Sequence, residues 1–278
     1  MKMNKEERIE NVRKMFLTQG TCSNTFFHVL NQKFQISNAE GEIASDTLAG
    51  GIMRQGYQCG MLWGSSLGCG SEISRRYTGN PGAVALSIEA SKNLVASFKK
   101  QTGTTECSDI TETDWNSKIS MAKYAVTGKF MTCFNLARDW ANEAADTAEQ
   151  SLNRSPENLP EGCKSCASET IYTMGGSEED AVTVSGFAGG IGLSGSGCGA
   201  LAAAIWYKSL IKMRTKNEKP GLNDPDIDPI VEKFQKHTNH EFECRKISNK
   251  IFNSPQEHSA YIEQGGCKNI IQLFAEFK

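Results

Sequence analysis

The feature that most constrains this chain is a repeat. The segment Leu48 to Gly64, LAGGIMRQGYQCGMLWG, returns 139 residues later as Phe187 to Ala203, FAGGIGLSGSGCGALAA. Aligned without gaps, the copies share Ala-Gly-Gly-Ile, a mid-loop glycine (Gly56 and Gly195), Cys-Gly (Cys59-Gly60 and Cys198-Gly199) and a leucine (Leu62 and Leu201). Such an offset in 278 residues divides the chain into two related halves, each long enough to bury a core of its own. The expected boundaries are residues 1–150 for the first repeat, 151–162 (SLNRSPENLPEG) for a linker, and 163–278 for the second repeat. Two such halves are expected to pack as a pseudo-dimer.

Each copy reads as the end of a small-residue helix, a glycine-rich turn, and a cysteine opening a new apolar helix, with Met61, Leu62 and Trp63 in one and Ala200, Leu201, Ala204 and Ile205 in the other. Glycine supplies the positive φ values that a tight turn needs. A cysteine there lies beside the unpartnered first N–H groups of a helix and the positive end of its dipole, so a favoured thiolate is the expectation at Cys59 and Cys198.

The remainder reads as helix separated by polar turns. Residues 5–17 carry Ile9, Val12 and Phe16 on one face; Cys22 opens a helix with Phe26, Phe27, Leu30 and Phe34; Asn38 and Gly41 form a turn before a short helix. The helix after Cys59 is expected to run to about Gly68. Residues 83–100 and 115–126 follow as helices, and Cys133 starts a long one with a stripe of Ala137, Trp140, Ala141, Ala144, Ala145 and Ala148. In the second half Cys166 opens a helix with Ile171 and Met174, the helix after Cys198 reaches about Met213, residues 230–237 are helical, and Cys267 starts the last helix with Ile270, Ile271, Phe274 and Phe277. No strand pattern is evident, and the fold class is all-α.

Charge narrows the function. The formal net charge is -2 and the basic residues are scattered, which argues against nucleic acid as a partner. No apolar run approaches the ~18 residues of a membrane span, and the N-terminal stretch lacks a signal-peptide core, so the expected location is cytoplasmic. Ten cysteines in a reducing compartment point to metal ligands or redox thiols rather than a stable disulfide framework.

Eight of the ten form a series. Cys22, Cys59, Cys107 and Cys133 are spaced by 37, 48 and 26 residues; Cys166, Cys198, Cys244 and Cys267 by 32, 46 and 23. The flanks agree: FKKQT lies ahead of Cys107 and FQKHT ahead of Cys244, with Glu106 and Glu243 directly before the cysteines. Cys69 and Cys163 are left over and read as small buried hydrophobes. All of the eight except Cys107 and Cys244 are expected to open helices, so that several helix N-termini offset the repulsion among thiolates. Soft thiolates so arranged suit an iron–sulfur cluster or zinc; without metal they would be reversible disulfide formers.

These residues carry a resemblance. Each half resembles the redox-active family named for its C…CGAxxG…C…C pattern, and the resemblance covers nearly the whole chain as two tandem copies. Cys59-Gly60-Met61-Leu62-Trp63-Gly64 has Met for the motif's Ala, and Cys198-Gly199-Ala200-Leu201-Ala202-Ala203 ends in Ala instead of Gly. The family implies a redox role, and its similarity to the helical part of a split-Soret cytochrome implies iron–sulfur binding. The haem part is absent, since Cys163-Lys164-Ser165-Cys166-Ala167 lacks the His of c-type attachment.

The leading expectation is thus a redox or electron-transfer protein with one iron–sulfur cluster per repeat, 2Fe-2S or 4Fe-4S, held by the eight serial cysteines, with a redox protein or a small-molecule electron donor or acceptor as partner. A metal-free thiol–disulfide oxidoreductase and a zinc-stabilised interaction module remain as alternatives. Cys163-x-x-Cys166 has no βαβ surroundings of the thioredoxin kind. The glycine clusters lack a preceding strand and a Gly-Lys-Ser/Thr ending, so they read as turns. His237 and His240 read as a solvated pair, His28 as a supporting group near Cys22, and no hydrolytic set can be named.

Overall fold

The computed structural model describes residue 9, residues 11–221 and residues 224–278. Among them are fifteen α-helices, several short 3-10 turns and no strand; the part of the expected first helix over residues 5–8 and 10 lies outside them. After α1 (Val12–Gln19), the first repeat comprises α2 (Cys22–Phe34), α3 (Ala39–Ala44), α4 (Gly60–Tyr77), α5 (Ala83–Thr102), α6 (Cys107–Thr111), α7 (Lys118–Val126) and α8 (Phe130–Leu152). The second comprises α9 (Cys166–Thr173), α10 (Glu178–Val184), α11 (Gly199–Lys216), α12 (Asp228–Thr238), α13 (Cys244–Ser248), α14 (Pro255–Glu263) and α15 (Lys268–Leu273). From α2 onward the two orders correspond helix for helix.

Local chemistry sets the ends. Gly20, at φ 89°, closes α1, and the Thr21 side chain accepts the Asn24 N–H to cap α2. Ser177 and Asp180 form a reciprocal capping box on α10. The expected stripe of α8 is buried at all six positions. Three expectations differ from the structure. Gly41 lies inside α3, where Asn38 caps its N–H, and Trp115 precedes α7 instead of starting it. The helix α4 continues past Gly68 to Tyr77. Its glycines are sites of close helix approach: a methyl at Gly64 would lie 2.0 Å from the Ser23 carbonyl oxygen of α2.

The halves share one continuous core running from Val12 to Phe274. The contact between them is reciprocal, as a pseudo-twofold requires: α4 packs on α10, and its counterpart α11 packs on α3, the counterpart of α10. Trp63 meets Phe187 edge-on at 4.7 Å, and the Trp206 indole N–H donates to the Gly41 carbonyl at 3.1 Å. Gln58 Nε2 donates to the Gly190 carbonyl at 2.7 Å and to Ser194 Oγ at 2.8 Å, and Ser196 Oγ donates to Glu106 Oε1 at 2.5 Å.

Candidate functional site

The repeated loop ahead of α4 and α11 is more unusual than a glycine turn. Gly50, Gly51, Ile52, Met53 and Arg54 all have φ between 49° and 75°, and Gly189, Gly190, Ile191, Gly192 and Leu193 between 51° and 81°. Each loop is therefore five successive left-handed residues, with a β-branched isoleucine in the middle. A left-handed residue other than glycine costs about 1–2 kcal/mol, so this conformation persists only because its surroundings hold it. Ile52 and Ile191 are fully buried, and the turn closes on itself through Gly56 N–H to Gly50 O at 2.9 Å and Gly195 N–H to Gly189 O at 2.8 Å.

The turn does two things. It offers a backbone N–H to the first cysteine of its repeat, from Gly50 to Cys22 and from Gly189 to Cys166. It also delivers the second cysteine, Cys59 or Cys198, to the cap of α4 or α11. The third is then tied to the same strip of backbone: Cys107 N–H donates to Tyr57 O at 2.7 Å and Cys244 N–H to Ser196 O at 2.6 Å, beside the isolated bridges Gln58 to Glu106 and Gly197 to Glu243. Contrary to the expectation that excluded them, Cys107 and Cys244 do open helices, the five-residue α6 and α13. Cys133 does not; α8 begins at Phe130, and Cys133 lies one turn in. Cys267 caps α15 with φ 60°.

The four serial cysteines of each half come into one electrostatic neighbourhood. Cys22 and Cys59 share a thiol–thiol hydrogen bond, and Cys59 also feels Cys107 and Cys133. In the second half Cys267 feels Cys166, Cys198 and Cys244. Gly60 makes the first contact possible, since a methyl there would stand 2.4 Å from Cys22 Sγ. Cys69 and Cys163 belong to neither set. Cys69 is fully buried in α4 beside Glu72, and Cys163 lies near Glu89 and Glu263; burial pushes both thiols up to about 12.

The expectation of a favoured thiolate is overturned at Cys59 by its hydrogen bond with Cys22 and by burial, and at Cys198 by burial. The hydrogen bond to Cys59 pulls Cys22 below the ordinary thiol range, while the same bond, then burial, pushes Cys59 well up. Burial takes Cys198 to about 11 although the Leu201 and Ala200 amides of α11 work against it. Burial and Cys198 take Cys166 to about 12; burial and Cys22 take Cys133 to about 11. Burial is also the main cause for Cys107, Cys244 and Cys267, all raised. Helix N-termini do supply donors, but they do not outweigh desolvation and mutual repulsion.

Tyr124 and Tyr261 were not singled out in the sequence. Tyr124 Oη lies 3.7 Å from Cys133 Sγ, and Tyr261 hydrogen-bonds Cys267. The signal was there: the two are 137 residues apart, the interval between Cys107 and Cys244. His28 is not a partner of Cys22; its Nδ1 meets Glu42 Oε2 at 2.9 Å and its Nε2 meets Gln32 Nε2 at 2.9 Å.

A metal-binding group is tested by this donor set. Four soft, buried or half-buried thiols per half, with amide and phenol donors beside them, have the chemistry that a cationic metal centre would stabilise by replacing the protons. Among the described residues, however, no three His, Cys, Asp or Glu side chains approach closely enough to hold a single ion.

The C_GCAxxG_C_C family, described as "putative redox-active protein", matches residues 21–147 and again residues 160–277. The chain belongs to this family, twice over. Each match takes in one complete set of four serial cysteines, so the unit that recurs in the family is the unit that the fold gathers. No curated protein and no solved structure matches the chain significantly. Among the described residues no helix is long and apolar enough to cross a membrane.

Proposed function

We propose that the protein is an electron-transfer protein of the cytoplasm with one iron–sulfur cluster in each repeat. Cys22, Cys59, Cys107 and Cys133 would hold the first cluster, and Cys166, Cys198, Cys244 and Cys267 the second. The observation that supports the reading is the mutual electrostatic influence of four buried or half-buried cysteines, far apart in sequence, in each of the two matched copies. When bound, such a cluster supplies one-electron storage delocalised over iron and sulfur. The chain's own part is to fix four thiolates, to aim the Gly50 and Gly189 N–H groups at the first sulfur of each set, and to exclude water. The electron donor and acceptor would be a redox protein or a small molecule.

A second reading is favoured by one contact, the Cys22–Cys59 hydrogen bond. Metal-free, this pair would be a dithiol in which Cys22 is the readier thiolate. Oxidation would join the two sulfurs and release two protons and two electrons to an electron acceptor; reduction would reverse it. Anaerobic purification with visible spectroscopy and iron and acid-labile sulfide analysis separates the readings. Charge-transfer absorption with both elements present supports the cluster. A colourless protein without iron, in which oxidation links Cys22 to Cys59, supports the dithiol.

A further inference from the structure

The fourth cysteine of each repeat meets a tyrosine hydroxyl, and the match between repeats extends beyond that contact. The helices α7 (118–126) and α14 (255–263) stand 137 residues apart at both ends, and Tyr124 and Tyr261 occupy the same position on them. Each tyrosine ring is held by an aromatic ring at the same interval: Trp115 lies 5.1 Å from Tyr124, and Phe252 lies 5.2 Å from Tyr261. Around these shared positions the packing has diverged. The helix α14 buries Pro255, His258, Ser259 and Ile262, whereas no residue of α7 is buried. A need for bulk would be met by phenylalanine, and the neighbouring packing that would demand a particular shape is not shared. What the two sites retain in common is the aromatic neighbour, which phenylalanine would meet equally well, and the hydroxyl on sulfur, which it would not.

We propose that Tyr124 and Tyr261 are positioning residues of the two redox centres, each donating its O–H to the sulfur of the fourth cysteine, Cys133 or Cys267. This rests on the reading that those sulfurs are ligands of the two clusters. Adding an electron puts negative charge on sulfur, which strengthens an O–H donor bond, so the donor favours the reduced state. The first cysteine of each set takes a backbone N–H, from Gly50 or Gly189, which substitution cannot delete. The fourth takes a tyrosine hydroxyl, which substitution can.

The test is a reductive titration of the full chain, purified anaerobically, as wild type, Tyr124→Phe, Tyr261→Phe and the double variant, with Tyr172→Phe as control because Tyr172 is 48% exposed and lies beside Glu178 and Glu169. Midpoints are read from visible absorption and, in parallel, from the thiol content at each potential, so that a titration exists for either type of centre. Loss of one donor bond is expected to raise the oxidised-to-reduced ratio of one centre about tenfold at fixed potential, a fall of ~59 mV for a one-electron couple. The double variant moves both centres and the control neither. Iron content and unfolding temperature of the variants show whether the centres and fold are intact; a merely structural role would move the unfolding temperature and leave the midpoints in place. Wild-type midpoints in both tyrosine variants overturn the proposal alone. A wild type with no reversible transition by either readout overturns the redox reading and the proposal with it.

Discussion

The pseudo-twofold contact can be tested at Gly70, where α4 of the first repeat passes α10 of the second. A methyl added at Gly70 would stand 2.0 Å from the Thr183 carbonyl oxygen and 2.6 Å from its carbonyl carbon. Both sides of this contact are backbone, so no side chain can rotate away. The helices must part by at least about 1 Å, which opens the core around Trp63 and Phe187. Overpacking of this kind costs about 1–3 kcal/mol, and rigid backbone on both sides places Gly70→Ala at the upper end. Alanine returns about 1 kcal/mol of helix propensity. The net expectation is a loss of about 2 kcal/mol, or ~4–8 °C in Tm for a chain of this size. Thermal and urea unfolding under reducing, anaerobic conditions measure it, and Gly68→Ala is the companion variant, since its methyl would meet the Leu30 side chain of its own repeat at 2.5 Å. If Gly70→Ala is as stable as wild type, the reciprocal packing of α4 on α10 is wrong.

Two further outcomes follow from the thiols and from a buried histidine. In reduced, metal-free protein at pH 8, mapped alkylation should find Cys22 among the first cysteines modified and Cys69 the last, because the Cys59 hydrogen bond holds Cys22 down while burial holds Cys69 up at about 12; equal rates at the two would refute this. His258 is buried against Phe252, and burial lowers it to about 4, against about 6.5 unfolded. The unfolded chain thus takes up this proton first as pH falls: the contribution is fully present above pH ~6.5 and is lost toward pH ~4, by about 3 kcal/mol. His258→Gln should flatten that part of the stability profile, and an unchanged slope would show that His258 is not its source.

The helical frame was legible because helix starts and stops are written in single residues: Gly20 and Thr21 before α2, the alanine stripe of α8, the glycines ahead of Cys267. The eight cysteines were legible because each occurs twice in order, which packing alone rarely demands. Three things were not. The glycines of α4 look like breakers in one dimension and prove to be close-approach points in three, since only the neighbouring helix shows what they make room for. The left-handed turns contain Ile52 and Ile191, residues whose local preference opposes that conformation, so tertiary packing had to override propensity. The acidity of the thiols depends on desolvation and on one another, neither of which a helix-cap argument contains. Tyr124 and Tyr261 could have been found by carrying the 137-residue interval from Cys107 and Cys244 to every aromatic nearby.

The central claim is two separate four-sulfur centres in one chain. Iron and acid-labile sulfide per chain, measured after anaerobic reconstitution in wild type, Cys59→Ser and Cys198→Ser, test it most directly. The account predicts iron and sulfide in equal amounts in wild type and about half of that in either single variant. A wild type that takes up neither, or a single serine that empties the whole chain, would contradict it.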